Sequence, residues 1–345
     1  MADGNAENPA IAREIAQDSV MNRWVVVVGA ILIQLCLGAI YAWSVFTPRI
    51  TMTIAEGGIY GFSASQAAWV FSAGLATFAV VMVIAGRMQA KLGPRKLAIA
   101  GGIVLGIGYM LGAFVGGSFV GQLVAIGIIG GAGIGLAYVV PIAVGVKWFP
   151  DKKGMVSGLA VAGFGFGATI WVKLAGSWFG GLLNTTSVFG LPGVQSVFFI
   201  YGLVFMILVL LGSMVMINPP QGYKPQGWEP PAPSQTGSGA TGTVDFESNE
   251  MLKTPQYWML LLIFIGSGLA GLMVIYCIRL FGIDALQASG VAPGTAEAGA
   301  IAGTAMAWYA ILNGLGRIVW GTVSDKLGRK MAIFLMCLLQ GVIML

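Results

Sequence analysis

Ala300-Ile-Ala-Gly-Thr-Ala-Met-Ala-Trp-Tyr-Ala-Ile-Leu-Asn-Gly-Leu-Gly-Arg317-Ile-Val-Trp320 is an apolar run long enough to cross a bilayer, and it carries a charge. A charged side chain at membrane depth costs at least ~2.5 kcal/mol on the mildest insertion scale. It persists where it faces a wet cavity or meets an opposite charge. No acidic residue follows Arg317 on its helix until Asp325. Arg317 therefore invites an anion from outside the chain, and the expected activity is anion transport.

The rest of the sequence is built in the same way. Of 345 residues, 57% are hydrophobic and 9% charged, whereas soluble domains average about 25% charged. Apolar runs of this length read as spanning helices. They are expected at 24–46, 66–87, 97–116, 119–146, 155–178, 196–217, 256–280, 299–323 and 330–345. A transmembrane β-barrel needs short alternating strands, and these runs do not alternate. The fold class is an all-α, multi-pass membrane protein, expected in the plasma (inner) membrane.

The net charge of +5 is sorted by loop. Arg87, Lys91, Arg95 and Lys96 follow the second run, Lys147, Lys152 and Lys153 the fourth, and Lys326, Arg329 and Lys330 the eighth. The intervening loops hold almost none, with Arg49 the main exception. This bias puts the N-terminus and the even-numbered loops in the cytoplasm. The basic balance is thus a topology signal, and no nucleic acid is expected as a partner. The expected partners are the lipid bilayer and small anions, and the expected state is a monomer. Residues 1–23 form a cytoplasmic tail containing Glu7, Glu14 and Asp18, so the run that follows is a span and not a signal peptide.

Other chemistries find little support. Cys36, Cys277 and Cys337 lie inside runs without disulfide or metal spacing, and histidine is absent. Gly131-Ala-Gly-Ile-Gly135 and Gly163-Phe-Gly-Phe-Gly167 sit within spans, where small residues serve close helix packing. No phosphate-binding Gly-x-x-x-x-Gly-Lys-Ser/Thr loop occurs. The protein is expected to be no enzyme, to need no cofactor or metal, and not to be driven by ATP.

Residues 218–254 are rich in Pro, Gly, Ser and Thr and read as a cytoplasmic linker. It ends at Thr254-Pro255, a helix start with a capping hydroxyl and a proline in the first turn. The linker divides a bundle of six helices at 24–217 from a partial bundle, helices seven to nine, at 255–345. The two parts share a repeat. Gly86-Arg-Met-Gln-Ala90-Lys91-Leu-Gly93-Pro-Arg95-Lys96 follows the second run. Gly321-Thr-Val-Ser-Asp325-Lys326-Leu-Gly328-Arg329-Lys330 follows the eighth. Glycine permits the tight turn, and Asp325 can pair with the trailing basic residues.

The second copy resembles the loop signature of the major facilitator superfamily. The first departs from it, with Ala90 where that family usually has Asp. Three segments resemble the oxalate/formate antiporter family, which is related to the monocarboxylate transporters. They are Trp148-Phe-Pro-Asp-Lys-Lys-Gly154, Glu250-Met-Leu-Lys-Thr-Pro-Gln-Tyr-Trp258 and Asn313-Gly-Leu-Gly-Arg317. The resemblance implies a major facilitator fold of two six-helix bundles, here nine spans with the C-terminal part missing. It implies that Arg317 binds the carboxylate of the substrate.

Tyr309, Asn313 and Arg317 recur at four-residue spacing, which makes a polar stripe on one helix. A guanidinium can hold a carboxylate with two parallel hydrogen bonds. In the first span Gln34, Gly38 and Tyr41 share a face. The resemblance matches Tyr41 and Tyr138 to cavity tyrosines of the antiporters, and Phe164 to a position where members can have tyrosine. Pro141, three residues after Tyr138, is expected to kink its helix. Lys173 and Arg279 are expected to snorkel to the outer face, where both could still draw anions toward an outward-open mouth. No Asp or Glu lies at clear mid-membrane depth, which favours anions over cationic drugs. The expected function is secondary transport of small carboxylates such as oxalate, formate or lactate by alternating access, as anion exchange. The alternatives are a facilitator for another small solute and a non-transporting membrane receptor or scaffold.

Overall fold

The helices follow the apolar runs. The computed structural model describes residues 21–225, 227–229, 248–292 and 294–344. Among these residues the chain is helix and connecting turns, with one isolated β bridge, Val188 to Leu191. The helices are α1 (Arg23–Ile50), α2 (Ala64–Leu92), α3 (Pro94–Phe114), α4 (Phe119–Trp148), α5 (Lys153–Gly176), α6 (Gly193–Ser213) and α7 (Pro255–Ala288). Then come α8 (Thr295–Leu327) and α9 (Arg329–Met344). The first 8 are long and apolar enough to cross a membrane. The ninth expected span is present as a helix of 16 residues. Most of the tail, residues 1–20, and linker positions 226 and 230–247 lie outside the described residues.

Local chemistry sets the helix ends. Ser63 opens α2 by accepting from the Gln66 N–H, and the Gln66 side chain returns a bond to the Ser63 N–H. Pro94 opens α3 and Pro255 opens α7. Thr254 corrects one expectation. Its hydroxyl does not cap α7 but donates to the Met251 carbonyl at 2.7 Å. The Thr254 N–H meets the same carbonyl at 3.0 Å. The preceding turn folds back and brings that acceptor closer than the helix N-terminus.

Two helices change pitch inside the membrane. α1 tightens to a 3-10 segment over Gly38–Ala42. α4 widens to a π segment over Leu123–Gly130, which the sequence does not announce. The helix continues through Pro141 to Trp148.

α1–α6 pack on one another through small residues and aromatics. α3 meets α6 where a Cβ on Gly106 would stand 2.7 Å from the Gly202 carbonyl, and one on Gly202 would stand 2.6 Å from that of Gly106. Any side chain at either position would push the helices apart. Trp43, Phe46, Phe198, Tyr201 and Phe205 form a continuous ring cluster in this core. α7 and α9 pack against α8. The broadest pairing in the chain joins α8 to α5, across the linker.

Candidate functional site

The 3-10 segment of α1 brings the backbone of that helix hard against α5, since a Cβ on Gly38 would collide with the Phe164 carbonyl. Tyr41, in the same segment, lands on the Phe164 ring with centroids 4.8 Å apart and planes at 74°. Phe164 is fully buried and also meets Tyr138 of α4 edge to face at 5.6 Å. Phe78 of α2 completes the wall, 5.0 Å from Tyr138 and 6.4 Å from Phe164. Gln34 is fully buried one α1 turn before Gly38. Its Nε2 donates to the Tyr138 carbonyl at 3.2 Å, and its Oε1 has no partner among the described residues. Aromatic edges and faces of this kind exclude water while presenting phenol oxygens at the rim.

The stripe on α8 faces this wall. The Arg317 Nε donates to Asn313 Oδ1 at 3.2 Å, and its Nη1 donates to the Val161 carbonyl of α5 at 3.3 Å. Arg317 and Tyr41 are electrostatic neighbours of both the Tyr138 and Tyr309 phenols, and Asn313 of the latter. Gln34, Tyr41, Tyr138, Phe164, Tyr309, Asn313 and Arg317 therefore gather at one seam between the two parts of the chain. The guanidinium meets neutral oxygens only. The ion pairs among the described residues are elsewhere, Arg23 with Asp151 and Arg329 with Asp325. A half-buried guanidinium with neutral acceptors keeps most of its charge available to an incoming anion.

The seam is close because α5 and α8 carry glycine where they cross. A Cβ on Gly158 would run into the Arg317 carbonyl, and one on Gly321 into the Gly154 carbonyl. At this end Asp325 accepts from the N–H groups of Gly154 at 3.0 Å and Met155 at 2.9 Å. Those are early donors of α5, whose own cap, Lys152, supplies no side-chain bond. A carboxylate at a helix N-terminus satisfies orphan donors and the helix dipole together. Arg329 holds the same carboxylate at 2.9 Å and also bonds Ser324.

The turn after α2 has a different set of contacts. Arg95 donates to the Met214 carbonyl at the end of α6. Gly86 faces open space, and Lys91 is exposed, as is Lys326 in the other turn. Gly93 and Gly328, however, are superposable in backbone conformation: φ 81° and ψ 156° for one, φ 83° and ψ 155° for the other. That region of backbone space is open to glycine almost alone.

Two further cations reach across helices. Lys173 reaches Thr304 Oγ1 of α8 at 3.0 Å. Arg279 turns inward and donates to the Ser44 carbonyl of α1 at 3.2 Å. Each finds an acceptor on a neighbouring helix. Sequence reasoning missed Phe78, because one phenylalanine in an apolar helix looks like any other. It also missed Arg23, which pairs with Asp151 at 2.8 Å while lying over the Phe149 ring at 4.4 Å. The lone acid within Trp148-Phe-Pro-Asp-Lys-Lys was the available signal.

The chain is similar in sequence to known transporters. The chain is 28% identical over 310 residues to the MFS-type transporter YhjX of Escherichia coli K12, covering 89% of this chain and 67% of that protein. It is equally 28% identical over 310 residues to the oxalate:formate antiporter of Oxalobacter formigenes, covering 89% and 65%. Monocarboxylate transporter 13 of Rattus norvegicus is 26% identical over 172 residues, covering 48% and 39%. The chain thus spans about two thirds of the length of the first two. The family model described as the Major Facilitator Superfamily matches residues 34–345, a range holding both glycine turns and the seam between them, and the chain belongs to that superfamily of membrane transporters.

Proposed function

We propose that this protein is a secondary transporter of small carboxylates, working by alternating access and as an anion exchanger. The observation that carries the reading is Arg317: a guanidinium in the seam, bonded to neutral oxygens and faced by the phenols of Tyr138 and Tyr309. Two of the relatives are named as an oxalate:formate antiporter and a monocarboxylate transporter, which supports the substrate class. Arg317 would take the carboxylate in a bidentate fork, with Asn313 holding its Nε and orienting the plane. Tyr41, Tyr138, Tyr309 and the buried Gln34 would supply polar contacts, and Phe164 an apolar wall.

The mechanism follows from charge. With the site empty, closing both ends leaves an uncompensated guanidinium in a low-dielectric cavity, which is disfavoured. A bound carboxylate removes that penalty, so the loaded carrier changes face and the empty one does not. The linker at 218–254 joins a six-helix bundle at 24–217 to the helices at 255–345. The Lys/Arg bias supports a cytoplasmic location for the tail 1–23, the linker and the Asp325 turn. Asp325 then acts as the cytoplasmic clasp, releasing the start of α5 when the carrier opens inward.

The test is uptake of labelled oxalate and formate into proteoliposomes. Arg317→Gln should abolish uptake while leaving insertion intact, and Arg317→Lys should restore little, because a point charge cannot form the fork. Internal substrate should accelerate uptake. Wild-type rates in Arg317→Gln would overturn the assignment of the site. Net uptake driven by inward protons, with no stimulation by internal substrate, would overturn exchange.

A further inference from the structure

At the end of the bundle opposite the Asp325 turn, α1, α5, α7 and α8 enclose a second cavity of about 480 Å3. Arg49 of α1 and Arg279 of α7 both line it, with Asn184 and Ser177 at its edge. Gly303 lines it too and lies fourteen residues from Arg317 on α8, roughly 21 Å at 1.5 Å per residue. The cavity is therefore separate from the seam.

The two arginines are held differently, and neither pairs with an acid among the described residues. Arg49 is exposed, and its guanidinium donates to Asn184 Oδ1 at 2.7 Å. Arg279 lies over α8 where Gly299 and Gly303 leave room: Cβ atoms there would stand 3.6 and 3.8 Å from its guanidinium. One of its nitrogens reaches the Ser44 carbonyl, while its Nε is buried with no partner among the described residues. Asp284 on α7 and Glu297 at the start of α8 are near in sequence, and neither forms an ion pair with either arginine. A buried donor on a half-buried cation carries a standing desolvation cost that a small anion would remove. The volume holds such an anion with several waters, each about 30 Å3.

We infer that Arg49 and Arg279 form a second anion site, which captures a small carboxylate at the mouth opposite the Asp325 turn. It holds the anion between the exposed guanidinium of Arg49 and the inward-turned one of Arg279. Occupation raises the local concentration of substrate at that mouth. The site does not depend on the role given to Arg317.

The experiment uses the exposed Ser177 on the cavity wall. In a background with Cys36, Cys277 and Cys337 replaced by Ala, Ser177→Cys is labelled with a small thiol reagent in phosphatidylcholine vesicles. Oxalate should slow the labelling. Arg279→Gln and Arg49→Gln should each raise the oxalate concentration needed for half-protection about tenfold, the loss of one charge-assisted bond. Arg279→Lys keeps the charge and should fall between Arg279→Gln and the parent, which covers the case of a Gln variant that does not fold. Arg317→Gln should leave protection in place, even where it abolishes transport. Protection that vanishes in Arg317→Gln, or survives in both Arg49→Gln and Arg279→Gln, would overturn the site. So would labelling that slows only in anionic lipid and without oxalate, since a headgroup would then be the occupant.

Discussion

The turns after α2 and after α8 share a sequence pattern and a backbone, yet they do different work. Gly93 and Gly328 adopt the same glycine-only conformation to within 2° in each angle. After that point the chemistry diverges. Asp325 reaches across the seam to the first N–H groups of α5 and is steadied by Arg329. Ala90, its counterpart, is exposed, and Arg95 instead braces the end of α6. Glycine sets the shape of the turn, and the acid alone turns that shape into a clasp between the two parts of the chain.

The largest expected effect comes from wedging the seam that the clasp closes. Gly158→Leu would drive a side chain into the Arg317 backbone. Overpacking of this kind costs about 1–3 kcal/mol, and carboxylate uptake should fall by roughly 10- to 100-fold. Unchanged uptake would mean that α5 and α8 need not touch, and the comparison of the two turns would lose its mechanical meaning.

Breaking the clasp itself comes next. Asp325→Ala removes the exposed carboxylate that caps the α5 N-terminus, a loss of about 0.5–2 kcal/mol. A cysteine at Ser157, in the cavity behind the clasp, should then react with a membrane-permeant thiol reagent roughly 2- to 30-fold faster. Asp325→Asn keeps one acceptor and should fall between the two. Equal labelling in all three proteins would show that the Asp325 bonds do not hold this end shut.

The glycines test the shared part. Gly93→Ala and Gly328→Ala should each destabilise the protein by about 1–3 kcal/mol, the cost of a side chain in this backbone region. The two losses, measured by thermal unfolding in detergent, should be similar. A loss confined to Gly328 would mean that the turns share a pattern without sharing a constraint. The smallest effect is expected from restoring the acid to the first turn. Ala90→Asp lies on an exposed position and should change stability by less than about 0.5 kcal/mol. A stabilisation comparable to the Asp325 clasp would reveal a helix N-terminus waiting for that acid.

Much of this architecture is legible in the sequence. The apolar runs located the helices to within a few residues at most ends, and the glycine repeat foretold matching turns. Arg317, Asn313 and Tyr309 could be placed on one stripe from spacing alone. Gln34 and Tyr41 also fell on one face, although the 3-10 segment at Gly38–Ala42 that brings Tyr41 onto Phe164 left no mark in the sequence. The spacing places Thr254 as a helix cap, but a sequence does not show which acceptor a side chain will find first, and a nearer carbonyl takes its hydroxyl.

By itself the sequence determined that this is a helical membrane protein with a repeated turn and a charge buried in its eighth run. Those properties are sums of local transfer free energies and charge counts, which the bilayer reads segment by segment. Only the tertiary structure decided that Phe78 joins the aromatic wall, that Arg317 bonds the Val161 carbonyl, and that Asp325 caps a helix 171 residues away in the chain. Apolar helix faces are nearly alike to one another and to lipid, so hydropathy cannot choose among their pairings. The choice falls to the few places where glycine lets two backbones approach and a polar group finds its partner.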